Sequence, residues 1–233
     1  PITSEASSSH WFSACSAKGT VIIPGSAVVE LLPMGDCIDA VRKGFLSLER
    51  GTAGLPLRLA YKLPQEQFSV LASMPAFFLD TVEEEKTDST KSSNSNSNSN
   101  SRSSSNGSPP GVPFCACKTI TVFPGNSKLG KHSHQGTISL YEAVHGSLLA
   151  LVDAGEVTAI RTAAASAVAT DLLARQDVSI LAILGCGAQA STHIAAMLIV
   201  RSGIHIVRVW GRTPHKAAAF VAKMTTRYPK VKF

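Results

Sequence analysis

The chain has 233 residues, of which 44% are hydrophobic, and its formal net charge is +6. This length and composition suffice for one large or two ordinary globular domains with a buried core. The basic excess does not indicate nucleic-acid binding, because aromatic residues do not interleave with basic clusters as in single-strand binders. No apolar run reaches the ~20 residues of a membrane span, and no secretory signal is evident, so we expect a cytoplasmic protein without a membrane partner.

Five cysteines are an odd number, in a chain too long to depend on disulfides for its stability. Cys115 and Cys117 flank one residue of a predicted strand, and we interpret them as pointing to opposite faces of it. Cys186 is interpreted as a small side chain within a turn rather than a redox thiol. The sequence therefore predicts no metal site.

The first half of the chain predicts an α+β unit over residues 21–153, preceded by a poorly ordered Ser- and Ala-rich lead-in over residues 1–20. Ser26 is expected to cap a first helix. Three- and four-residue apolar spacing from Ile38 to Leu48 predicts a second, amphipathic helix. The predicted strands lie at residues 21–23, 57–61, 68–72, 114–123, 137–141 and 148–153.

Residues 87–110 form a Ser/Asn-rich run that interrupts this unit. The run contains too little apolar surface to offset the entropy of ordering it, so we expect a disordered segment. Because sequence typical of strands lies on both sides, we interpret it as an insertion within a domain and assign it no function.

A helix rich in small residues is predicted over residues 158–175. Its many alanines imply close packing against neighbouring backbone. Arg161 and Thr162 are expected in its first turn, where unpaired N–H groups and the helix dipole favour an anion.

The segment from Ser179 to Ala190 predicts a short buried strand that leads through a glycine turn into a helix. Gly185, Gly187 and Ala190 fit the G-x-G-x-x-G/A pattern of dinucleotide-binding proteins. In that pattern the first glycine permits a tight turn, the second lets the backbone approach a pyrophosphate, and helix N–H groups face the phosphates. A strand-to-helix turn without a ligand is the alternative.

The next helix, 188–200, leads to a second strand, 205–210, after which dinucleotide-binding folds commonly place an acid on the ribose hydroxyls. This chain has Arg212 and Thr213 there, and residues 178–233 contain eight Lys and Arg but no Asp or Glu. A guanidinium and a hydroxyl bind a 2′-phosphate, whereas a carboxylate repels it. We therefore predict NADP(H) rather than NAD(H), with a solvated loop arginine at position 212 as the alternative.

Sequence blocks along the whole chain, apart from the lead-in and the Ser/Asn-rich run, resemble the ornithine cyclodeaminase/μ-crystallin family. The ordered recurrence of many blocks is far more specific than any one of them. The blocks are V-V-E-L-L-P-M-G-D-C-I-D-A-V-R-K-G-F at 28–45, L-P-L-R at 55–58, M-P-A-F at 74–77, C-K-T-I-T-V-F-P-G-N at 117–126, H-Q-G-T-I-S-L-Y at 134–141, L-A-L-V-D-A-G-E-V-T-A-I-R-T-A-A-A-S-A at 149–167, the glycine motif at 185–190 and V-W-G-R-T at 209–213.

The resemblance implies an α/β fold class, with an α+β substrate and dimerisation domain over 21–153 and a Rossmann-type domain over 154–233, in a homodimer. Arg58, Lys118 and Arg161 match the family's basic residues that hold an amino-acid-type carboxylate beside the nicotinamide. Taken alone, Arg58 and Lys118 are also compatible with surface or salt-bridged roles. The resemblance and the glycine motif together give the expected cofactor-binding residues Thr162, Gly185, Gly187, Ala188, Gln189, Arg212 and Thr213.

Two reactions occur in this family: reduction of a carboxylate-bearing imine by NAD(P)H, and conversion of ornithine to proline and ammonia. We predict the first, a ketimine reductase-like activity in amino-acid metabolism, with Lys118 as the hypothetical proton-handling residue. The alternatives are an ornithine cyclodeaminase, and a non-catalytic crystallin-like binding protein or inactive truncated copy. Relative to the family pattern the chain stops at Phe233, at the predicted start of a third Rossmann strand, so we expect the N-terminal half of that domain.

Overall fold

The computed structural model describes residues 19–64, 68–79 and 113–233. The predicted disordered run over 87–110 lies outside the described residues, as does the predicted lead-in except for Gly19 and Thr20. Two sheets and five α-helices are described in these ranges.

The larger sheet contains seven strands: β1 (Val21–Ile23), β2 (Ala53–Gly54), β3 (Leu59–Lys62), β4 (Val70–Phe78), β5 (Phe114–Val122), β6 (His134–Glu142) and β7 (Leu148–Asp153). Their order is β1-β7-β6-β5-β4-β2, and β3 also pairs with β4. β1 is parallel to β7, and the other pairs are antiparallel. β5 therefore lies at the centre of the sheet.

Strands β4 and β5 are direct neighbours although 35 residues separate them along the chain. Phe78, the last residue of β4, is opposite Phe114, the first residue of β5. Their rings stack with a centroid separation of 5.2 Å. The chain thus leaves and re-enters one sheet at adjacent strands, on either side of the Ser/Asn-rich run.

Three helices accompany the larger sheet: α1 (Gly25–Leu31), α2 (Met34–Glu49) and α3 (Ala154–Leu173). A 3₁₀ helix spans Pro124–Leu129. The prediction that Ser26 caps the first helix is wrong, because Pro24 occupies the N-cap position with extended backbone and α1 begins at Gly25.

Helix α3 begins four residues earlier than predicted. The side chain of Asp153 accepts a hydrogen bond from the backbone N–H of Glu156 at 2.9 Å, which caps the helix directly at the end of β7. Arg161 and Thr162 consequently lie about two turns inside the helix rather than in its first turn. Their N–H groups take part in the helix, so the predicted anion site at a helix N-terminus is wrong for these two residues.

The second sheet follows a β-α-β-α order: β8 (Ile180–Leu184), α4 (Ala188–Val200), β9 (Ile206–Trp210) and α5 (Pro214–Arg227). β8 and β9 are parallel, and Lys232 makes a further parallel bridge to Ile206 on the other edge of β9. This β-α-β-α order with parallel strands is typical of a Rossmann-type sheet. The predicted mixed α/β fold class is confirmed.

Helix α3 packs against both parts of the structure. Ala163, Ala164 and Ala167 are fully buried and join a core with residues of α1, α2 and α4. A separate core of Ile194, Met197, Val207 and Met224 lies between the second sheet and its helices. The opposite face of that sheet is exposed at Ile180, Leu184 and Trp210. None of the described helices is long and apolar enough to cross a bilayer.

Candidate active site

The glycine turn lies at the carboxyl end of β8, between that strand and α4. Gly185 has a φ of 116°, a backbone conformation that side-chain-bearing residues rarely adopt. Its N–H donates to the carbonyl of Trp210 at 2.7 Å, which joins the turn to the end of β9. In a parallel sheet this edge is where ligands bind.

Gly187 is the N-cap of α4 and has extended backbone without a side-chain capping bond. A Cβ atom placed at Gly185 or Gly187 would have no heavy atom of the described chain within 4 Å, so space beside the turn is open. Gly187 and Ala188 are exposed. The N-terminus of α4 can therefore be approached by an anion through its free N–H groups.

Gln189 adds an unsatisfied acceptor to this turn. Its Oε1 atom is buried and has no hydrogen-bond partner among the described residues. A buried acceptor without a donor is costly unless a ligand or water supplies one. Together with the open glycine turn, this orphaned atom fits a dinucleotide whose hydroxyl or amide groups donate hydrogen bonds.

The loop after β9 lies directly beside the glycine turn. A Cβ atom on Gly211 would approach both Ala217 Cβ and Cys186 Sγ to 3.1 Å, so the two loops pack closely there. Arg212 is exposed. Thr213 is the N-cap of α5 but makes no side-chain capping bond, so its hydroxyl is available to a ligand at the same sheet edge.

A cluster of cations surrounds Lys118 at the centre of the larger sheet. Burial lowers the pKa of Lys118 from its ordinary 10.5, and the positive charges of Arg161 and then Arg58 lower it further. The ammonium Nζ donates to Thr158 Oγ1 at 3.4 Å. The three predicted substrate-side cations therefore lie close enough for their charges to interact.

These cations lack acidic partners in the part of the chain that the structure describes, where no carboxylate forms an ion pair with any of them. Arg58 and Arg161 are exposed and Lys118 is half-buried. Like charges raise each other's energy, and a bound anion relieves that repulsion. The cluster is therefore suited to a small carboxylate.

A row of hydroxyl groups on α3 connects the cations to the glycine turn. Thr158, Thr162 and Ser166 are spaced four residues apart, and Thr162 Oγ1 donates to the Thr158 carbonyl at 2.6 Å. Ser166 Oγ lies 3.1 Å from His193 Nε2 on α4, and His193 Nδ1 lies 2.8 Å from the carbonyl oxygen of Gln189. Sequence reasoning missed Thr158, Ser166 and His193, although the four-residue spacing on a predicted helix was a usable signal.

The interpretation of Cys115 and Cys117 as pointing to opposite faces is wrong. Both lie on β5, and residues two apart on a strand share a face because side chains alternate. Cys117 Sγ lies 3.1 Å from Ser73 Oγ on β4. Within the described ranges, no group of three or more His, Cys, Asp or Glu residues is arranged to hold a metal ion.

Comparison with known proteins matches the sequence model of the "Ornithine cyclodeaminase/mu-crystallin family" to residues 111–232. The mouse ketimine reductase mu-crystallin is 39% identical over 105 residues, which are 45% of this chain and 33% of that protein. The Delta(1)-pyrroline-2-carboxylate reductase of Paracoccus denitrificans is 41% identical over 100 residues, which are 43% of this chain and 32% of that protein.

Among solved structures, the fold is similar to the Delta(1)-pyrroline-2-carboxylate reductase of Thermococcus litoralis in complex with NADH and L-proline. The TM-score is 0.73 at 28% identity, over 91% of this chain and 55% of that one. The chain thus matches about a third of the curated relatives' length and about half of the solved reductase.

Proposed function

The chain belongs to the ornithine cyclodeaminase/mu-crystallin family, and from this premise we propose that it reduces a small carboxylate-bearing imine with a nicotinamide dinucleotide. The observation that carries this proposal is the cation cluster of Arg58, Lys118 and Arg161, linked through α3 to the glycine turn. An anionic substrate beside a hydride donor needs both features. The similarity to a ketimine reductase and to two Delta(1)-pyrroline-2-carboxylate reductases supports the same reaction class.

In this proposal each residue has a defined task. The dinucleotide supplies the hydride that reaches the imine carbon. Arg58 and Arg161 would hold the substrate carboxylate through charge-assisted hydrogen bonds. Lys118, held by Thr158, would donate a proton to the imine nitrogen as the carbon is reduced. Hydride and proton together give the amino acid.

The proposed cofactor contacts lie where the glycine turn and the loop after β9 meet at the edge of the second sheet. Gly185, Gly187, Ala188 and Gln189 would bind the pyrophosphate and its neighbouring groups, and Thr162 would lie near the phosphates from α3. Arg212 and Thr213 would bind a 2′-phosphate, which favours NADP(H) over NAD(H). The solved reductase of Thermococcus litoralis contains NADH, so a nicotinamide dinucleotide is the common expectation.

Replacing Arg212 with alanine is expected to weaken NADPH binding by roughly 10–100-fold, because a charge-assisted phosphate contact contributes about 1.5–3 kcal/mol. NADH binding should change less than about threefold, since NADH has no 2′-phosphate. Nucleotide fluorescence titration measures both dissociation constants. Arg227→Ala, at the far end of α5, is the matched control. An equal loss of affinity for NADPH and for NADH would contradict the proposed preference for NADP(H).

We also propose that residues 21–153 form the substrate and dimerisation domain and residues 154–233 the first half of the nucleotide domain. Exposed apolar side chains on strands β3 and β4 and just before them support a homodimer there, since such a patch favours burial against a second copy. They are Leu57, Leu59, Tyr61, Phe68 and Leu71.

A further inference from the structure

Ser166 and His193 form a side-chain link between the helices that carry the two halves of the proposed site. Helix α3 carries Arg161 and Thr162, whereas α4 begins at the glycine turn. Ser166 Oγ and His193 Nε2 are 3.1 Å apart, and both residues are half-buried. This link joins positions 27 residues apart in sequence.

The donors and acceptors in this link follow from which groups can carry a proton. The Gln189 carbonyl, 2.8 Å from His193 Nδ1, can only accept a hydrogen bond, so Nδ1 carries the proton. In the neutral imidazole Nε2 is then an acceptor, and the Ser166 hydroxyl must donate to it. Ser166 lies farther from its other acceptor, the Thr162 carbonyl, at 3.3 Å.

The first turn of α4 is the part of the helix that this link holds. The Gln189 carbonyl accepts from Thr192 Oγ1 at 3.0 Å as well as from His193. Gln189 Oε1 is buried and accepts no hydrogen bond from the described residues, so a bound ligand could supply the missing donor.

Close helix packing makes the link sensitive to rotation. Ala163 and Ala167 on α3 and Ala196 on α4 are fully buried in one core, so the two helices pack closely and a small rotation of one would change the separation of Ser166 and His193. A directional hydrogen bond between these two side chains therefore favours one relative rotation of the helices.

We propose that Ser166 and His193 are positioning residues, which fix the rotation of α4 against α3 and so hold a bound dinucleotide at the correct distance from the substrate cations. This inference rests on the proposed imine reduction. It assigns the pair no contact with the substrate or with the reacting atoms.

The test compares Ser166→Ala, His193→Leu, His193→Asn and His193→Gln in the full chain. Asparagine keeps a donor for the Gln189 carbonyl but does not reach Ser166, whereas glutamine reaches Ser166. We expect kcat to fall about 10–100-fold in the alanine, leucine and asparagine variants, because small misplacements of reactants are that costly. The glutamine variant should recover most of the activity.

Other readouts separate positioning from simple loss of stability. The dinucleotide dissociation constant and the imine KM should change less than about threefold, and the deuterium isotope effect on kcat should rise. The Ser166→Ala/His193→Leu double variant should be no slower than the slower single variant, because both changes break one link. His205→Leu is the matched control, since His205 Nδ1 also bonds a carbonyl but lies outside the site.

The ¹⁵N chemical shifts of His193 in the chain without ligand should report the Nδ1–H tautomer, and the opposite tautomer would overturn the inference. Unchanged kcat in Ser166→Ala and His193→Leu, or recovery with asparagine but not glutamine, would also overturn it while leaving the reductase proposal intact. A wild-type chain that binds no dinucleotide would instead reject the proposed function and this inference with it.

Discussion

Replacing Lys118 with methionine is expected to lower kcat by about 10²–10⁴-fold, the usual loss when a positioned proton donor is removed. Methionine retains the apolar length of the side chain, so the half-buried position on β5 stays filled. The imine KM should rise as well, because one cation of the cluster is lost. Steady-state kinetics at saturating NADPH measures both quantities.

The pH profile gives an independent test of this role. A proton donor loses activity as the pH rises through its pKa, and burial together with Arg161 and Arg58 lowers the pKa of Lys118 below 10.5. The basic limb of kcat/KM, which reports the groups of the free chain, should therefore lie below pH 10.5. Removing the Arg58 charge with Arg58→Gln should move that limb to higher pH.

Lys128→Met is the control, because Lys128 is an exposed residue in the 3₁₀ helix outside the site. It should retain wild-type kcat and pH profile. Full turnover of Lys118→Met at saturating substrate would remove the proposed proton-handling role, while a change confined to KM would leave Lys118 as a binding residue.

Replacing Arg201 with methionine is expected to lower the free energy of unfolding by about 1.5–3 kcal/mol, because the change removes the charged donor of several hydrogen bonds. The Arg201 side chain is only 2% exposed and donates to Asp171 Oδ1 at 2.9 Å. It also caps the C-terminal end of α3, where helix carbonyls lack partners. The carbonyls that it contacts there are those of Thr170, Asp171, Ala174 and Arg175.

Denaturant unfolding followed by circular dichroism measures this loss. Arg201→Lys keeps the charge but not the planar fork of donors, so its stability should be intermediate. Arg175→Met is the matched control, since Arg175 pairs with Asp177 at the surface and such pairs contribute only about 0–1 kcal/mol. Wild-type stability of Arg201→Met would contradict the assignment of this residue as the cap of α3.

Acid unfolding should report on the pairing of Asp171 with Arg201 and Arg42. Hydrogen bonds from Arg201 and then Arg42 lower the pKa of Asp171 below 3.8 in the folded chain. A lowered carboxyl pKa stabilises the fold above the unfolded value, and this contribution is lost as the pH falls through the folded one. Asp171→Asn should therefore show a weaker dependence of stability on pH in this acidic range.

Local sequence patterns predicted the second sheet well. The short apolar run at 180–184, the glycine spacing at 185 and 187 and the helix that follows all lie within about 20 neighbouring positions. Such signals need no knowledge of tertiary packing. The family resemblance then predicted that Arg58, Lys118 and Arg161 share one site. In the structure the charges of these three residues interact.

Features that depend on tertiary packing were beyond local reasoning. The helix start at Ala154 was missed because Asp153 serves both as the last residue of β7 and as the cap of α3. Arg201 would be expected at the surface from its residue type alone. Its side chain is instead buried, where it donates to backbone carbonyls 26 to 31 residues earlier in the chain. The roles of the predicted site residues remain predictions until the variants are measured.

The most direct test of the proposed function is NADPH consumption by the 233-residue chain with Delta(1)-piperideine-2-carboxylate and Delta(1)-pyrroline-2-carboxylate. The proposal predicts turnover with at least one of them and a KM about 10–100-fold higher in Arg161→Ala, since a charge-assisted carboxylate contact is lost. NADPH binding without consumption of any cyclic imino acid would contradict it and favour a non-catalytic binding protein.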